Sequence, residues 1–399
     1  MSGWATGSQT SLREANRASI LESVKRYGGL TQVELVGSTG LSAATVSTIV
    51  KELTSAGLVE VKPTSRSGRR AQLVTVARRV GLAAGVQVGH RHLRVALGDF
   101  GSDVVADQTL PLPSEHRLDT TLDRTALLVV DMLERVGATL EELVGIAIGI
   151  PAPVDTATGL ISVRGVLRGW DDTHVAQVMS KRLGKPVWVD NDANLGALAE
   201  ATLGAGRGYA DVLFVRASHG VGAGIVIGGQ LHRGFAGTAG EIGHVQIDPQ
   251  GAICRCGSRG CLDTVVGAEA LLAPLVVSHG PLTLRDVMNR ALAGDPGCTR
   301  VVADAGEKIG AVLAATCQAL NPQVIVVGGE LAETGEMLLD PMRRELRRGM
   351  LPNLIAPVEI VPAALGQQAE VMGALATVLE NTDVADTVDR GTREREGER

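Results

Sequence analysis

Three of the five cysteines, Cys254, Cys256 and Cys261, fall within eight residues, and His244 stands ten positions upstream of the first. Three thiolates and one imidazole are the ligand set of a closed, tetrahedral, structural zinc site. Gly257 and Gly260 relieve the backbone between the second and third thiol, where a tight knuckle has to form. A reduced thiol cluster without metal is the alternative, but it leaves the placement of the His unexplained. Structural Zn2+ on His244, Cys254, Cys256 and Cys261 is therefore the expected cofactor.

A second chemistry sits where strands end. Val187–Asp190 reads as a strand running into Asn191-Asp192 and then an apolar helix to Glu200. An Asn-Asp pair at such a turn is a plain helix cap or a pair of hydrogen-bonding groups for a ligand, and spacing alone favours the cap. Ala217 to Gly224 is glycine-rich. Its N–H groups can cradle a phosphate, although a tight hairpin is the commoner use of such a run. Leu143–Ile150 is apolar throughout, as in a strand buried on both faces. Pro151–Asp155 follows at its C-terminal end, where α/β folds place ligands.

The first eighty residues differ in charge. They hold 11 basic and 5 acidic residues, a net +6, against 27 and 39 in the remainder, a net −12. A basic head on an acidic body fits a DNA-binding module joined to a small-molecule module. Apolar spacing predicts a helix from Leu12 to Tyr27, ended by Gly28-Gly29. Thr31 is placed to cap a second helix with Val33 and Val36 facing inward, and Ser42 to cap a third that runs to Ala56. In the third helix Val46, Ile49, Val50 and Leu53 form a buried stripe. Ser42, Ala43, Ala44, Thr45, Ser47, Thr48 and Lys51 form the opposite face, small enough for close approach to a major groove. Leu58–Val61 and Leu73–Val76 alternate like a hairpin, and Lys62, Arg66, Arg69 and Arg70 with Ser67-Gly68 make a basic wing for phosphates or the minor groove.

Glu241-Ile242-Gly243-His244 followed by Cys254-x-Cys256-Gly-x-x-Gly-Cys261 resembles the zinc signature of the ROK family. That family pairs bacterial sugar kinases with sugar-responsive repressors on one fold, and the repressors carry an added N-terminal helix-turn-helix domain. Residues 12–76 are similar to that domain, including its Gly68-Arg69-Arg70 wing. The resemblance implies an α/β chain: an N-terminal winged helix-turn-helix, then a two-lobed actin-like, ribonuclease-H-like ROK domain. It also implies that Asn191, Asp192, Glu241 and His244 bind sugar, with Asp192 at the position of the kinases' general base. Asp263 stands where the family usually has a sugar-binding Glu, one methylene longer. Kinases of the family begin their first turn Asp-x-Gly-x-Thr, whereas this chain reads Gln87-Val88-Gly89-His90-Arg91. A neutral amide cannot supply the charge that organises magnesium on a nucleotide. His219-Gly220-Val221 likewise departs from the family's Gly-Thr-Gly, and Gly328-Gly329 looks like its adenosine-side turn. No catalytic residue is expected, and Asp192 would accept a hydrogen bond from a sugar hydroxyl.

Bulk composition agrees with an α/β chain of several domains. Of 399 residues 45% are hydrophobic but only 2% aromatic, so small and branched aliphatics must fill the core. Cys298 and Cys317 read as buried thiols. No signal-peptide-like start and no run of about 18 apolar residues is present, which predicts a cytoplasmic location and no membrane partner. The expected layout is a disordered 1–10, a winged head over 11–78, a ROK body over 79–380 and a disordered tail over 381–399. Within the body one lobe takes 79–190 plus the C-terminal helix, and the other 191–366. The expected function is a repressor, acting as a homodimer or dimer of dimers on a pseudo-palindromic operator and released by a sugar or sugar derivative. Its rivals are an ATP-dependent sugar kinase with an appended head, and a regulator titrated by a protein partner.

Overall fold

The computed structural model describes residues 9–66, 69–77, 81–100, 103–113, 116–167, 169–352 and 356–383. The head comprises α1 (Gln9–Arg26), the short β1 (Leu30–Thr31), α2 (Gln32–Thr39), α3 (Ala43–Ser55), β2 (Val59–Arg66) and β3 (Arg69–Val76), in the sheet order β1-β3-β2. Local chemistry sets the helix starts. Thr31 and Glu34 form a reciprocal capping box, and the Ser42 hydroxyl accepts the Thr45 N–H at 3.2 Å. Each such cap contributes about 1 kcal/mol. Val46, Ile49, Val50 and Leu53 are buried as the spacing predicts, against Ile20, Val24, Leu35 and Val74.

Two expectations for the head are corrected. Val33 is 82% exposed: Thr31 caps α2 as expected, but Leu35 takes the inward position. The first helix opens at Gln9, inside the span expected to be disordered; residues 1–8 lie outside the described residues.

The body holds two five-stranded sheets of identical pattern. The first is built from β4 (Leu82–Val88), β5 (His92–Asp99), β6 (Val104–Pro111), β7 (Leu143–Ile150) and β8 (Val187–Asn191), in the order β6-β5-β4-β7-β8. Strands β4, β5 and β6 pair antiparallel, and β7 and β8 extend the sheet in parallel. Helices α4 (Leu118–Arg135) and α5 (Val175–Leu183) cover one face, with Leu122, Val129, Met132 and Met179 on Val86, Ile146 and Ile148.

After β8 the chain enters α6 (Asp192–Thr202) and crosses to the second sheet: β9 (Val212–Ala217), β10 (Val221–Ile227) and β11 (Gln230–His232). Short helices follow: α7 (Asp263–Val266), α8 (Ala268–Leu272), α9 (Val276–His279) and α10 (Leu284–Leu292). The long α11 (Pro296–Leu320) precedes β12 (Val324–Gly328), α12 (Glu336–Gly349), β13 (Glu359–Pro362) and α13 (Ala369–Asn381). The order β11-β10-β9-β12-β13 repeats the first sheet. Between α8 and α9 lies a short 3-10 turn that contains Pro274.

The helices that close the two sheets are exchanged. α6 packs on β9 and β10, whereas α13 returns to β4, β5 and β7 and lies against α6. Ala83, Ala96 and Ala147 keep that face of the first sheet shallow, so Val371, Leu375 and Val378 seat deeply on it. The head rests on the same helix: the buried Lys25 donates to the Thr382 carbonyl at 3.0 Å, at the end of α13. Among the described residues no single helix is long and apolar enough to cross a membrane.

Candidate metal centre and interlobe site

The thiol cluster is a compact knuckle beyond β11. The Cys254 N–H donates to the Ser258 carbonyl at 2.8 Å, and Gln246 bridges to Cys261. Gly260 has φ +67°, and a Cβ there would strike the Asp248 carbonyl, so no other residue closes the turn. Ligand atoms of His244, Cys254, Cys256 and Cys261 all lie within 4.8 Å of one another. The His244 Nδ1 is 3.5 Å from the Cys254 sulfur, and the Cys256 and Cys261 sulfurs are 3.8 Å apart. A tetrahedral zinc with bonds of about 2.3 Å to sulfur and about 2.0 Å to nitrogen separates sulfurs by roughly 3.8 Å and sulfur from nitrogen by roughly 3.5 Å. Two of the six spacings thus match a tetrahedral zinc, and the four residues could hold a metal ion. The other ring nitrogen of His244, Nε2, faces Glu241 at 3.7 Å.

The polar residues singled out in the sequence converge between the lobes, each with its own commitments. Asn191 is the N-cap of α6, and its side-chain oxygen accepts the N–H groups of Ala193 at 2.8 Å and Asn194 at 3.4 Å. Asp192 is buried at the first position of α6. Asp263 accepts the Val221 N–H at 2.8 Å and faces Arg255 at 3.7 Å. It also lines a cavity of about 770 Å³ together with His90, His219 and Glu330. Burial, reinforced by the charges of Asp192 and Asp263, pushes the Glu241 carboxyl up to about 7.

Sequence reading missed the cation in this cluster. Arg216 on β9 reaches Glu370 of α13 at 2.7 Å and Asp192 of α6 at 3.4 Å. All three side chains are buried, with Arg216 9%, Asp192 5% and Glu370 3% exposed. Burial opposes the Arg216 charge, but Asp192 and Glu370 outweigh it and raise its pKa. Burial also raises the Asp192 pKa, with Arg216 opposing. A lone arginine within the apolar run Val212–Ala217, and Glu370 in the first turn of the largely apolar α13, were the available signals. A second pair was missed as well: Arg233 meets Asp190 at 2.7 Å, and Asp190 also accepts from the Asn194 amide at 2.8 Å.

Ala217–Gly224 is the tight hairpin of β9 and β10, with Ser218 N–H on the Gly220 carbonyl at 3.0 Å. A Cβ at Gly224 would strike the Ala193 carbonyl, so this glycine admits α6 to the sheet. At the turn after β4, Gln87 is buried and the His92 ring packs on Gly89. His90 stacks across the lobes on His219, with ring centroids 5.4 Å apart. Burial, then the charge of Arg255, pushes the His90 pKa down to about 3, so the ring is neutral.

On the head, Ser42, Ala43, Ala44, Thr48 and Lys51 are exposed on one side of α3, and Thr45 and Ser47 are half-buried. Arg66 and Arg69 are opposite one another at the tip of the described hairpin, and Arg70 is exposed beside them. Ser67-Gly68 lie outside the described residues.

This two-lobed body, with its Glu-x-x-His and three-thiol knuckle, matches the profile of the ROK family over residues 83–381. The chain belongs to the ROK family. Residues 14–70 match the profile of the MarR family. The ROK protein is 28% identical over 379 residues to the xylose repressor of Bacillus subtilis, covering 94% of this chain and 97% of that one. It is 27% identical over 376 residues to the DNA-binding transcriptional repressor Mlc of Escherichia coli, covering 91% and 92%. A solved ROK family transcriptional regulator, a homologue of Mlc, shares the fold with a TM-score of 0.73 at 24% identity, over 95% of this chain and all of that one. The body alone resembles a ROK family glucokinase from Streptomyces griseus solved with glucose and AMPPNP, with a TM-score of 0.67 and 28% identity over 74% of this chain and 99% of that one.

Proposed function

We propose that this ROK protein is a DNA-binding transcriptional repressor whose operator affinity is set by a sugar or sugar derivative held between its lobes. The observation that carries the reading is α13. One end of this helix places Glu370 on the Arg216–Asp192 pair, and the chain leaving its other end accepts the buried Lys25 of the head. A ligand whose hydroxyl is accepted by Asp192 competes with Arg216 for that carboxylate, and any resulting change in Glu370 acts on the helix that bears the head. Such a ligand shifts DNA affinity by as much as its preference for one state over the other. The exposed face of α3 would enter the major groove, with Arg66, Arg69 and Arg70 on the flanking backbone. The contact area of one head favours a dimer on a pseudo-palindromic site. Zinc on the four-residue cluster would be structural, holding His244 by Nδ1 and leaving its Nε2–H for a sugar oxygen.

The sugar-kinase alternative draws on the presence of Asp192. Against it stand Gln87 in the first turn and Arg216 paired with the carboxylate that would act as base. The test is fluorescence anisotropy of the full-length protein on DNA upstream of its own gene, with and without a panel of hexoses, pentoses and their phosphates. A saturable complex weakened by one sugar class is expected. Steady hexose phosphorylation from magnesium-ATP without DNA binding would refute the proposal.

A further inference from the structure

A second cavity, of about 380 Å³, lies between the head and the second lobe, on the opposite end of α6 from Asp192. That volume falls in the range of small-molecule sites. The head contributes Arg26, Tyr27 and Leu30, and the body Leu198, Arg207 and Tyr209. The chain has two tyrosines, and both line this one cavity. Arg26 extends over the Tyr27 ring, 5.7 Å from its centroid, and reaches the Gly228-Gly229 turn. Its Nε is buried and meets no acceptor among the described residues. Glu34 also lines the cavity, but its carboxylate accepts from the Thr31 N–H at 2.7 Å and hydroxyl at 2.9 Å, and among the described residues no ion pair involves Arg26 or Arg207. A buried guanidinium N–H without an acceptor is costly, and an anion is the partner that satisfies it most strongly.

We propose that this junction is a binding site for a small organic anion, a carboxylate or a phosphomonoester carried on a planar ring. The two guanidinium groups receive the anion, and the tyrosine faces and leucines receive the ring. Because the walls come from both the head and the body, an occupant ties the two together. The site is separate from the interlobe cleft, and its existence does not rest on the repressor reading.

The test labels the full chain with 3-fluorotyrosine, which yields two fluorine resonances, one per tyrosine. Benzoate and phenyl phosphate are titrated in turn, with inorganic phosphate and phenol as controls for the anion and ring alone. Both resonances should shift saturably with at least one ringed anion, and the better of the two identifies the head group. Arg26→Gln and Arg207→Gln should each weaken the midpoint at least about tenfold, the loss of one charge-assisted contact. Arg207 is a residue of the body alone, so its variant keeps the test sound if Arg26→Gln disturbs the head. Resonances unmoved by either ringed anion, or midpoints unchanged in both variants, would overturn the proposal.

Discussion

Replacing Arg216 by Met removes the guanidinium from between two buried carboxylates while keeping most of the apolar stem. The carboxylates are 5% and 3% exposed and lie 3.4 and 2.7 Å from its nitrogen. At an effective dielectric near 20 each gross attraction is about 5–6 kcal/mol. Desolvation of the arginine itself offsets much of this, and the net loss from orphaning a buried partner is about 3–5 kcal/mol. Urea unfolding of the body, followed by tryptophan fluorescence, reads that loss, because Trp170 is buried in the first lobe. The sign of its pH dependence follows from Asp192. Burial already raises its pKa, with Glu370 of α13 adding and Arg216 and Arg255 opposing. Without Arg216 the folded-state pKa rises further. A carboxyl with a raised folded-state pKa stabilises the fold fully below its unfolded value, and this is lost as pH rises through the folded value. The deficit of Arg216→Met should therefore be largest at neutral pH and shrink toward about pH 4, where the unfolded carboxyls titrate. Adding Asp192→Asn and Glu370→Gln to the same chain should restore much of the stability. A single variant within about 1 kcal/mol of the parent, with no pH dependence, would refute the reasoning.

Cys256→Ser should lose bound zinc and lower the thermal midpoint of the body, and metal analysis with unchanged stoichiometry would reject the cluster as the site. Arg69→Ala should weaken operator binding evenly across sequences and reduce the magnitude of the salt slope by about 1, read by anisotropy over a salt series. Glu241→Ala should keep DNA affinity but blunt the response to sugar; normal release by the same sugar would remove Glu241 from the pocket. Ser42→Ala should cost about 1 kcal/mol of head stability through the lost cap, measured by urea unfolding of the full chain.

Features set by neighbours along the chain were open to a reading of residues alone. The capping box of Thr31 and Glu34, the Ser42 cap, the α3 stripe and the thiol knuckle with His244 each depend on residues close along the chain, so spacing carries them. The same local logic failed at Val33: the helix starts where Thr31 caps it, but Leu35 takes the inward face and Val33 points outward. The ambiguity at Ala217–Gly224 was resolved only by α6, whose carbonyl approaches Gly224 from a segment some thirty positions earlier.

The sequence by itself determined a basic helical head, an α/β body and a four-ligand cluster, because hydrophobic period, caps and ligand spacing are short-range properties of a chain. Only the tertiary structure decided that Arg216 grips Asp192 and Glu370, that α6 and α13 exchange sheets, and that both tyrosines meet at the head–body joint. Those outcomes join residues far apart along the chain, such as Asp192 with Glu370, Tyr27 with Tyr209 and Ala83 with Val371. The energy of a buried charge or a shared cavity depends on which surfaces exclude water from it, and that is settled only when the lobes close.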